Sequence, residues 1–212
     1  MEVRMGLLVT FEGGEGSGKT TLINRLHNEM VTLNYQVIKT REPGGSKISE
    51  QIRNIILDVK NNEMDYRTEA LLYAASRRQH LTEVILPALK EGKIVLCDRF
   101  LDSSLAYQGY ARGLGINDVY QINLYATEGI MPDITLYINV SPQEGLNRIT
   151  NAHREVDRLD LEKTSFHAKV QEGYLKLAEM FPERIKVIDG SRSLDEIYLN
   201  IKTIVFTQMG RR

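Results

Sequence analysis

Eight residues constrain this chain more than any others: Gly13-Gly14-Glu15-Gly16-Ser17-Gly18-Lys19-Thr20 fits G-x-x-x-x-G-K-[ST]. Ahead of it runs Leu7-Leu8-Val9-Thr10-Phe11, short and apolar enough for a buried strand. Behind it Leu22, Ile23, Leu26 and Met30 recur at helical spacing. Strand, loop and helix in that order are the context a phosphate-binding loop requires. Glycines turn the backbone N–H groups inward onto a phosphate, which also sits on the positive end of the following helix. Lys19 then reaches the β- and γ-phosphates, and the Thr20 hydroxyl ligates Mg²⁺. The alternative is a glycine-rich turn opening an ordinary helix; spacing and context together favour a nucleoside triphosphate site.

The rest of the chain alternates strands and helices. Gln36–Thr40, Lys93–Asp98, Ile134–Ile138 and Ile185–Ile188 read as further strands. Between them lie amphipathic runs: Ile48, Ile52, Ile55 and Ile56; Leu71, Leu72, Ala75, Leu81, Val84 and Ile85 behind a capping Asp65; Asp102 to Gln108; Val119, Ile122, Leu124 and Tyr125; Leu146 and Ile149. Phe166, Val170, Tyr174 and Leu177 line another, and Leu194, Ile197, Ile201 and Val205 the last. The pattern predicts a five-stranded parallel sheet with helices on both faces, a three-layer α/β/α arrangement with right-handed crossovers. Residues 1–212 form one domain in this reading, with a short mobile lid at about 143–160. Ligands of such sheets sit beyond the carboxyl ends of the strands. The phosphate loop, Arg41 to Gly45 and Asp98-Arg99 all fall there, after strands one, two and three.

Charge and composition remove several classes. Lys and Arg total 27 and Asp and Glu 28, for a net charge of −1, which argues against a non-specific nucleic-acid binder. No run approaches a membrane span and Met1 to Met5 lacks the apolar length of a signal peptide, so a cytoplasmic protein is expected. The single Cys97 lies in an apolar run and reads as a small buried hydrophobe, and the four histidines show no local metal spacing. A guanine-nucleotide switch would show an Asn-Lys-x-Asp element, which is missing. Arginines instead crowd the segments of interest: Arg41, Arg53, Arg77, Arg78, Arg99, Arg112, Arg148, Arg154 and Arg158. Guanidinium forks suit a reaction that brings several phosphates together, although some of these side chains will be solvated helix faces.

Five segments then give a specific resemblance: Phe11-Glu12-Gly13 through Gly18-Lys19-Thr20-Thr21; Thr40-Arg41-Glu42-Pro43-Gly44-Gly45; Ala75-Ser76-Arg77; Asp98 to Ser104 with Ala106-Tyr107-Gln108-Gly109; and Pro132-Asp133. Together they resemble the thymidylate kinases of bacterial type, and Asp157-Arg158-Leu159-Asp160 resembles the end of that family's lid. The resemblance implies transfer of the γ-phosphoryl group of ATP to thymidine monophosphate, a step in dTTP synthesis, with Mg²⁺, by a cytoplasmic homodimer acting on small nucleotides.

It also implies roles for residues. Arg77 would approach a thymine carbonyl, with Ser104 and Gln108 near the ring's polar edge, and Glu42 is grouped with these substrate contacts. Tyr73, one turn before Arg77, would stack on the ring or else serve as a core aromatic. Pro43 would bound the 5-methyl group and Tyr107 the 2′ position, while Arg53 and Arg99 hold the acceptor phosphate. Asp98 would order Mg²⁺ together with Thr20, with Glu15 near it. The phosphate loop carries no arginine, so Lys19 and Arg99 would be joined in catalysis by lid arginines, Arg154 and Arg158, unless those two are solvated lid charges. Two rivals stay open: a deoxynucleoside kinase, whose hydroxyl acceptor needs an activating base, and a module that binds ATP without consuming it.

Overall fold

The strand leading into the phosphate loop, β1 (Leu7–Glu12), lies at the centre of a sheet of five parallel strands. The others are β2 (Val37–Arg41), β3 (Ile94–Asp98), β4 (Ile134–Asn139) and β5 (Ile185–Asp189), and the spatial order is β2-β3-β1-β4-β5. The computed structural model describes residues 6–151, 158, 159 and 161–210. Pairing puts Phe11 opposite Asp98 and Asp98 opposite Arg41, so three strands end level. The three segments singled out by sequence therefore leave the sheet at one edge.

Both faces of the sheet are covered, which is why the inner strands β1, β3 and β4 read as nearly continuous apolar runs, whereas the edge strands β2 and β5 are partly exposed and carry Lys39 and Lys186. Alternate residues serve opposite layers. Leu7, Val9, Phe11, Ile94, Leu96 and Leu136 pack with Leu22, Ile23, Leu26 and Met30 of α1 (Lys19–Thr32) and with Ile197, Ile201 and Val205 of α9 (Leu194–Met209). Leu8, Val95, Cys97 and Tyr137 face the other layer. It holds α2 (Lys47–Leu57), α3 (Tyr66–His80), α4 (Leu86–Lys90), α5 (Leu101–Ser104), α6 (Ile116–Thr127) and α8 (Thr164–Met180). Handedness explains the division. The connection from β1 to β2 runs towards one edge and the later connections towards the other, so a right-handed crossover puts α1 on its own face.

Two elements depart from their sequence reading. The α3 helix runs through a wider π turn at Leu81–Ile85 into α4, and that turn precedes Pro87, which has no N–H to give to a regular ladder. The apolar stripe expected along this helix holds only in part: Leu81 and Ile85 are fully buried and Leu72 packs against the core, but Leu71 is 56% exposed and Ala75 faces out, whereas Glu69, Tyr73, Ser76, Arg77 and His80 are buried. Ile48 and Ile55 of α2 are likewise exposed. The Asp65 cap holds, its side chain accepting from the backbone N–H groups of Arg67 and Thr68. A second π turn, Leu105–Ala111, extends α5. Among the described residues, no helix is long and apolar enough to cross a membrane.

Beneath the sheet edge, Asp102 is fully buried and accepts from Thr135 and from both terminal nitrogens of Arg184, Oδ1 at 2.8 Å and Oδ2 at 2.5 Å. Arg184→Ala would leave that carboxylate without its counter-charge, and the expected loss of unfolding free energy is about 3–5 kcal/mol. Asp102→Asn should cost less, because Arg184 retains some solvent contact. Urea melts with unchanged slope measure both; equal losses would mean that packing, not the charge, holds the site.

Candidate active site

The phosphate loop folds as its glycines require. Gly18 caps α1 in the left-handed region at φ +87°, which frees the following N–H groups to point along the helix axis. Gly16 has φ +67°, and a Cβ there would lie 2.1 Å from the carbonyl oxygen of Gly145. The loop and α7 (Pro142–Asn151) thus meet backbone to backbone. Arg148, on the same helix, reaches the Gly16 carbonyl at 3.5 Å and pairs with Glu144.

Lys19 is buried, and its ammonium folds back onto the loop: 3.1 Å to the Gly13 oxygen, 2.9 Å to that of Gly14 and 3.1 Å to Ser17 Oγ. Burial, and then the neighbouring Arg99, bring its pKa down to about 8 against the opposing pull of Asp98, Glu15 and Glu12. Beside it the Thr20 hydroxyl donates to Asp98 Oδ2 at 2.9 Å.

The Asp98–Arg99 turn is held from below by Glu12, a residue to which the sequence reading gave no role. Fully buried, Glu12 accepts from the Phe100 N–H at 2.7 Å, from Ser103 Oγ at 2.6 Å and from Tyr174 at 2.8 Å. Burial first, and Asp102 second, raise its pKa to about 7. Arg99 takes φ +69°, uncommon for a side-chain-bearing residue, and its N–H is fixed by the Phe11 carbonyl at 2.9 Å. That conformation swings the guanidinium over the cleft onto Glu15 Oε1 at 2.6 Å, and Tyr107 donates to the same oxygen at 3.0 Å. Loop, turn and helix converge on one carboxylate.

On the far side Arg41 and Arg53 both donate to the Pro43 carbonyl at 2.8 Å. Glu42 is buried, accepting from Arg77 Nε at 2.7 Å and from His80 Nδ1 at 2.9 Å, and His80 Nε2 lies 2.6 Å from Thr40 Oγ1. Arg77, 1% exposed, also donates to Ser104 Oγ, Asn123 and the Phe100 carbonyl.

These groups line a cleft of about 290 Å³ that runs from the loop residues Glu15 to Thr21, past Asp98 and Arg99, to Arg41, Glu42, Pro43, Arg53, Tyr73, Tyr107 and Gln108. Gly13 and Gly14 form the loop's near end. Three sequence-stated positions lie differently. Arg77 and Ser104 bond to each other behind the wall, and Ser103, one residue earlier, faces the cleft instead. Arg158 is buried away from the phosphate loop, its guanidinium on Glu69 and on the Ile56 carbonyl at 2.9 Å. Two arginines on one buried carboxylate, with Arg112 the second, provide the reason. Arg154 lies outside the described residues, as does 152–157 of the expected lid. His80, Glu69 and Asn123 carry no periodic or motif signal, and Glu12 lies in a family segment without a role of its own; each is a lone polar residue whose partner is distant in sequence.

A phosphate loop at the end of the central strand, facing Arg41 and Arg53 on the far side of the same cleft, defines a P-loop nucleotide kinase. The thymidylate kinase family model matches residues 11–201. The thymidylate kinase of Clostridium novyi (strain NT) is 57% identical over 198 residues, covering 93% of this chain and 97% of that one. That of Geobacillus sp. (strain WCH70) is 55% identical over 208 residues, covering 98% and 99%. Among solved structures, the thymidylate kinase of Ehrlichia chaffeensis superposes with a TM-score of 0.78 at 31% identity, covering 94% of this chain and 98% of that one. The chain belongs to the thymidylate kinase family. This membership decides between the readings left open by sequence in favour of a monophosphate kinase.

The lowered pKa of Lys19 has a direct consequence. A pKa of about 8 has the ammonium losing its proton over that range in the free protein, and the negative charge of bound phosphates would favour its retention. The ATP dissociation constant should therefore rise above pH 8, by about tenfold per unit for one linked proton. Calorimetry between pH 7.5 and 9.5 measures this, and Lys19→Met should flatten the profile; parallel profiles would assign the dependence elsewhere.

Proposed function

We propose that this cleft carries out the family's reaction, phosphorylation of thymidine monophosphate by ATP, with the donor phosphates in Gly13–Thr20 and the acceptor between Arg41–Pro43, Tyr73 and the Asp98–Gln108 segment. The observation that carries this division is the set of cations facing one cleft from opposite sides: Lys19 at the loop, Arg99 between, Arg41 and Arg53 beyond. An acceptor phosphate needs such cations and no strong base, whereas a hydroxyl acceptor would need the base. Arg53 and Arg99 hold the acceptor phosphate. Glu15, fixed by Arg99 and Tyr107, faces the sugar, and the Tyr107 ring occupies the 2′ side. Tyr73 stacks on the base and Gln108 meets its polar edge, with Glu42 and Pro43 in the wall around the ring and Arg77 and Ser104 bracing it from behind. A cytoplasmic setting suits ATP as donor.

Mg²⁺ fits the residues present. Thr20 and Asp98 offer a hydroxyl and a carboxylate one hydrogen bond apart, and Mg²⁺ takes few protein oxygens beside water and phosphate. Among the described residues no cluster of three or more His, Cys, Asp or Glu side chains could hold a metal, so these two would hold it with the phosphates. When bound, the ion neutralises charge on the β- and γ-oxygens.

The segment 143–160 acts as a lid whose Arg154 supplies the cation missing from the phosphate loop, while Arg158, held by Glu69, anchors its far end. Arg154→Ala should lower kcat by on the order of 10³ or more with little change in thymidine monophosphate affinity. Arg158→Ala should lower Tm instead, and a kcat within about threefold of wild type for both would reduce the lid to a cover. In a panel scored by ADP release, thymidine monophosphate should exceed thymidine and the purine monophosphates in kcat/KM; equal rates with thymidine would restore the nucleoside kinase.

A homodimer accounts for the outward apolar side of α3. Leu71 (56% exposed) and Tyr125 (90%) border a groove with Ala74, Ala75 and Ile122 between α3 and α6. Sedimentation should give a dimer that Tyr125→Glu weakens, and a monomeric wild type would remove this assembly.

A further inference from the structure

Gln108 presents an amide to the cleft, and an amide has two faces that differ by a half-turn. With its carbonyl towards N3 of a pyrimidine and its NH₂ towards position 4, it complements thymine, which has an N3–H donor and an O4 acceptor. Turned over, it complements cytosine, which has an N3 acceptor and an N4–H₂ donor. The base preference at this contact depends on what holds the amide.

The holder is Glu69. Gln108 Nε2 donates to Glu69 Oε1 at 2.8 Å, and both side chains are buried, Glu69 fully. An ionised carboxylate only accepts, so the opposite orientation would set oxygen against oxygen. Two arginines keep it ionised: Arg112 donates to both of its oxygens at 3.3 Å, and Arg158 to Oε2. Although burial raises the Glu69 pKa, Arg112, Gln108 and Arg158 more than offset it, and the net shift is downward. With Nε2 held by Glu69, Gln108, a lining residue of the cleft, has its Oε1 as the amide atom left to meet a base.

We propose that Glu69 is a positioning residue for base selection, fixing the Gln108 amide in the orientation that reads the N3–H of thymine and turns cytosine away. The proposal rests on the placement of Gln108 at the base edge given above. It requires no contact between Glu69 and substrate, and it makes no distinction between thymine and uracil, which share N3–H and O4.

The test is Glu69→Gln, whose own amide can donate or accept and so releases Gln108 to turn. The ratio of kcat/KM for thymidine monophosphate to that for deoxycytidine monophosphate should fall by about tenfold or more, the order of one mispaired buried contact. The ratio for thymidine monophosphate to deoxyuridine monophosphate should stay constant. A Glu69→Gln enzyme that loses kcat or Tm but keeps the cytosine ratio overturns the proposal and leaves Glu69 a structural ion pair. A Gln108→Met enzyme that also keeps that ratio would remove Gln108 from the base edge, so the two failures are distinguishable. Should Glu69→Gln not fold, NMR of the wild type decides: the Gln108 side-chain NH₂, assigned by its loss in Gln108→Met, should be protected from solvent exchange with and without thymidine monophosphate. Rapid exchange in both states overturns the proposal.

Discussion

The site depends on what the last two residues of β1 do with their hydrogen bonds. Phe11 gives its carbonyl to the Arg99 N–H and Glu12 its carboxylate to Phe100, Ser103 and Tyr174, immediately before the chain enters the phosphate loop. The loop and the Asp98–Arg99 turn are thereby fixed to the same two residues. A carboxylate so deep is costly: its pKa near 7 means that the fold favours the protonated form. The sign follows from linkage. Stability from this group is full below its ordinary pKa of 4.5, declines as pH rises towards about 7, and is constant above. Three donors and the nearby Arg99 limit that cost, and in exchange the reacting segments acquire a common origin.

Where layers repeat, the sequence was easy to read. Five strands, their parallel direction and the buried residues of α1 and α8 follow from the alternation of short strand-like and longer helical runs, clearest for β1, β3 and β4, which are covered on both faces. α3 shows the limit. Two of its apolar residues, Leu71 and Ala75, point outward, while Glu69, Arg77 and His80 are buried beside Ala70, Tyr73 and Ala74. Periodicity reports that one face differs from the other; it does not say which is covered, and here the covered face is the one facing a polar site.

The same physics separates the legible part of the site from the rest. The loop from Gly13 to Thr20 is contiguous, and each residue type there has a local reason: Gly18 for its backbone angle, Lys19 and Thr20 for their reach. The acceptor side is assembled from pairs far apart in the chain, Glu42 with Arg77, Glu69 with Gln108 and Arg158, Glu12 with Tyr174. A lone buried glutamate has no spacing to betray it. Family resemblance singles out Arg77 and Ser104, but in the fold Ser104 is bonded to Arg77 and Ser103 faces the cleft, a one-residue difference that no sequence pattern marks.

These pairs also explain how a chain of net charge −1 can gather so many arginines around one cleft. Arg99 is matched by Glu15, Arg77 by Glu42, Arg112 and Arg158 by Glu69, and Arg184 by Asp102. Such pairs contribute little net stability, because desolvating both members cancels much of their attraction. What they do contribute is direction. A guanidinium held by a buried carboxylate on one side has fixed geometry on the other, so charge that develops during phosphoryl transfer meets donors that need not reorganise. Arg41 and Arg53, which share the Pro43 carbonyl, are aimed by the same device with a backbone oxygen in the carboxylate's place. Near-neutrality of the whole chain and a cleft lined by Lys19, Arg41, Arg53 and Arg99 are therefore consistent: the arginines around and behind the cleft each have an oxygen partner that aims them.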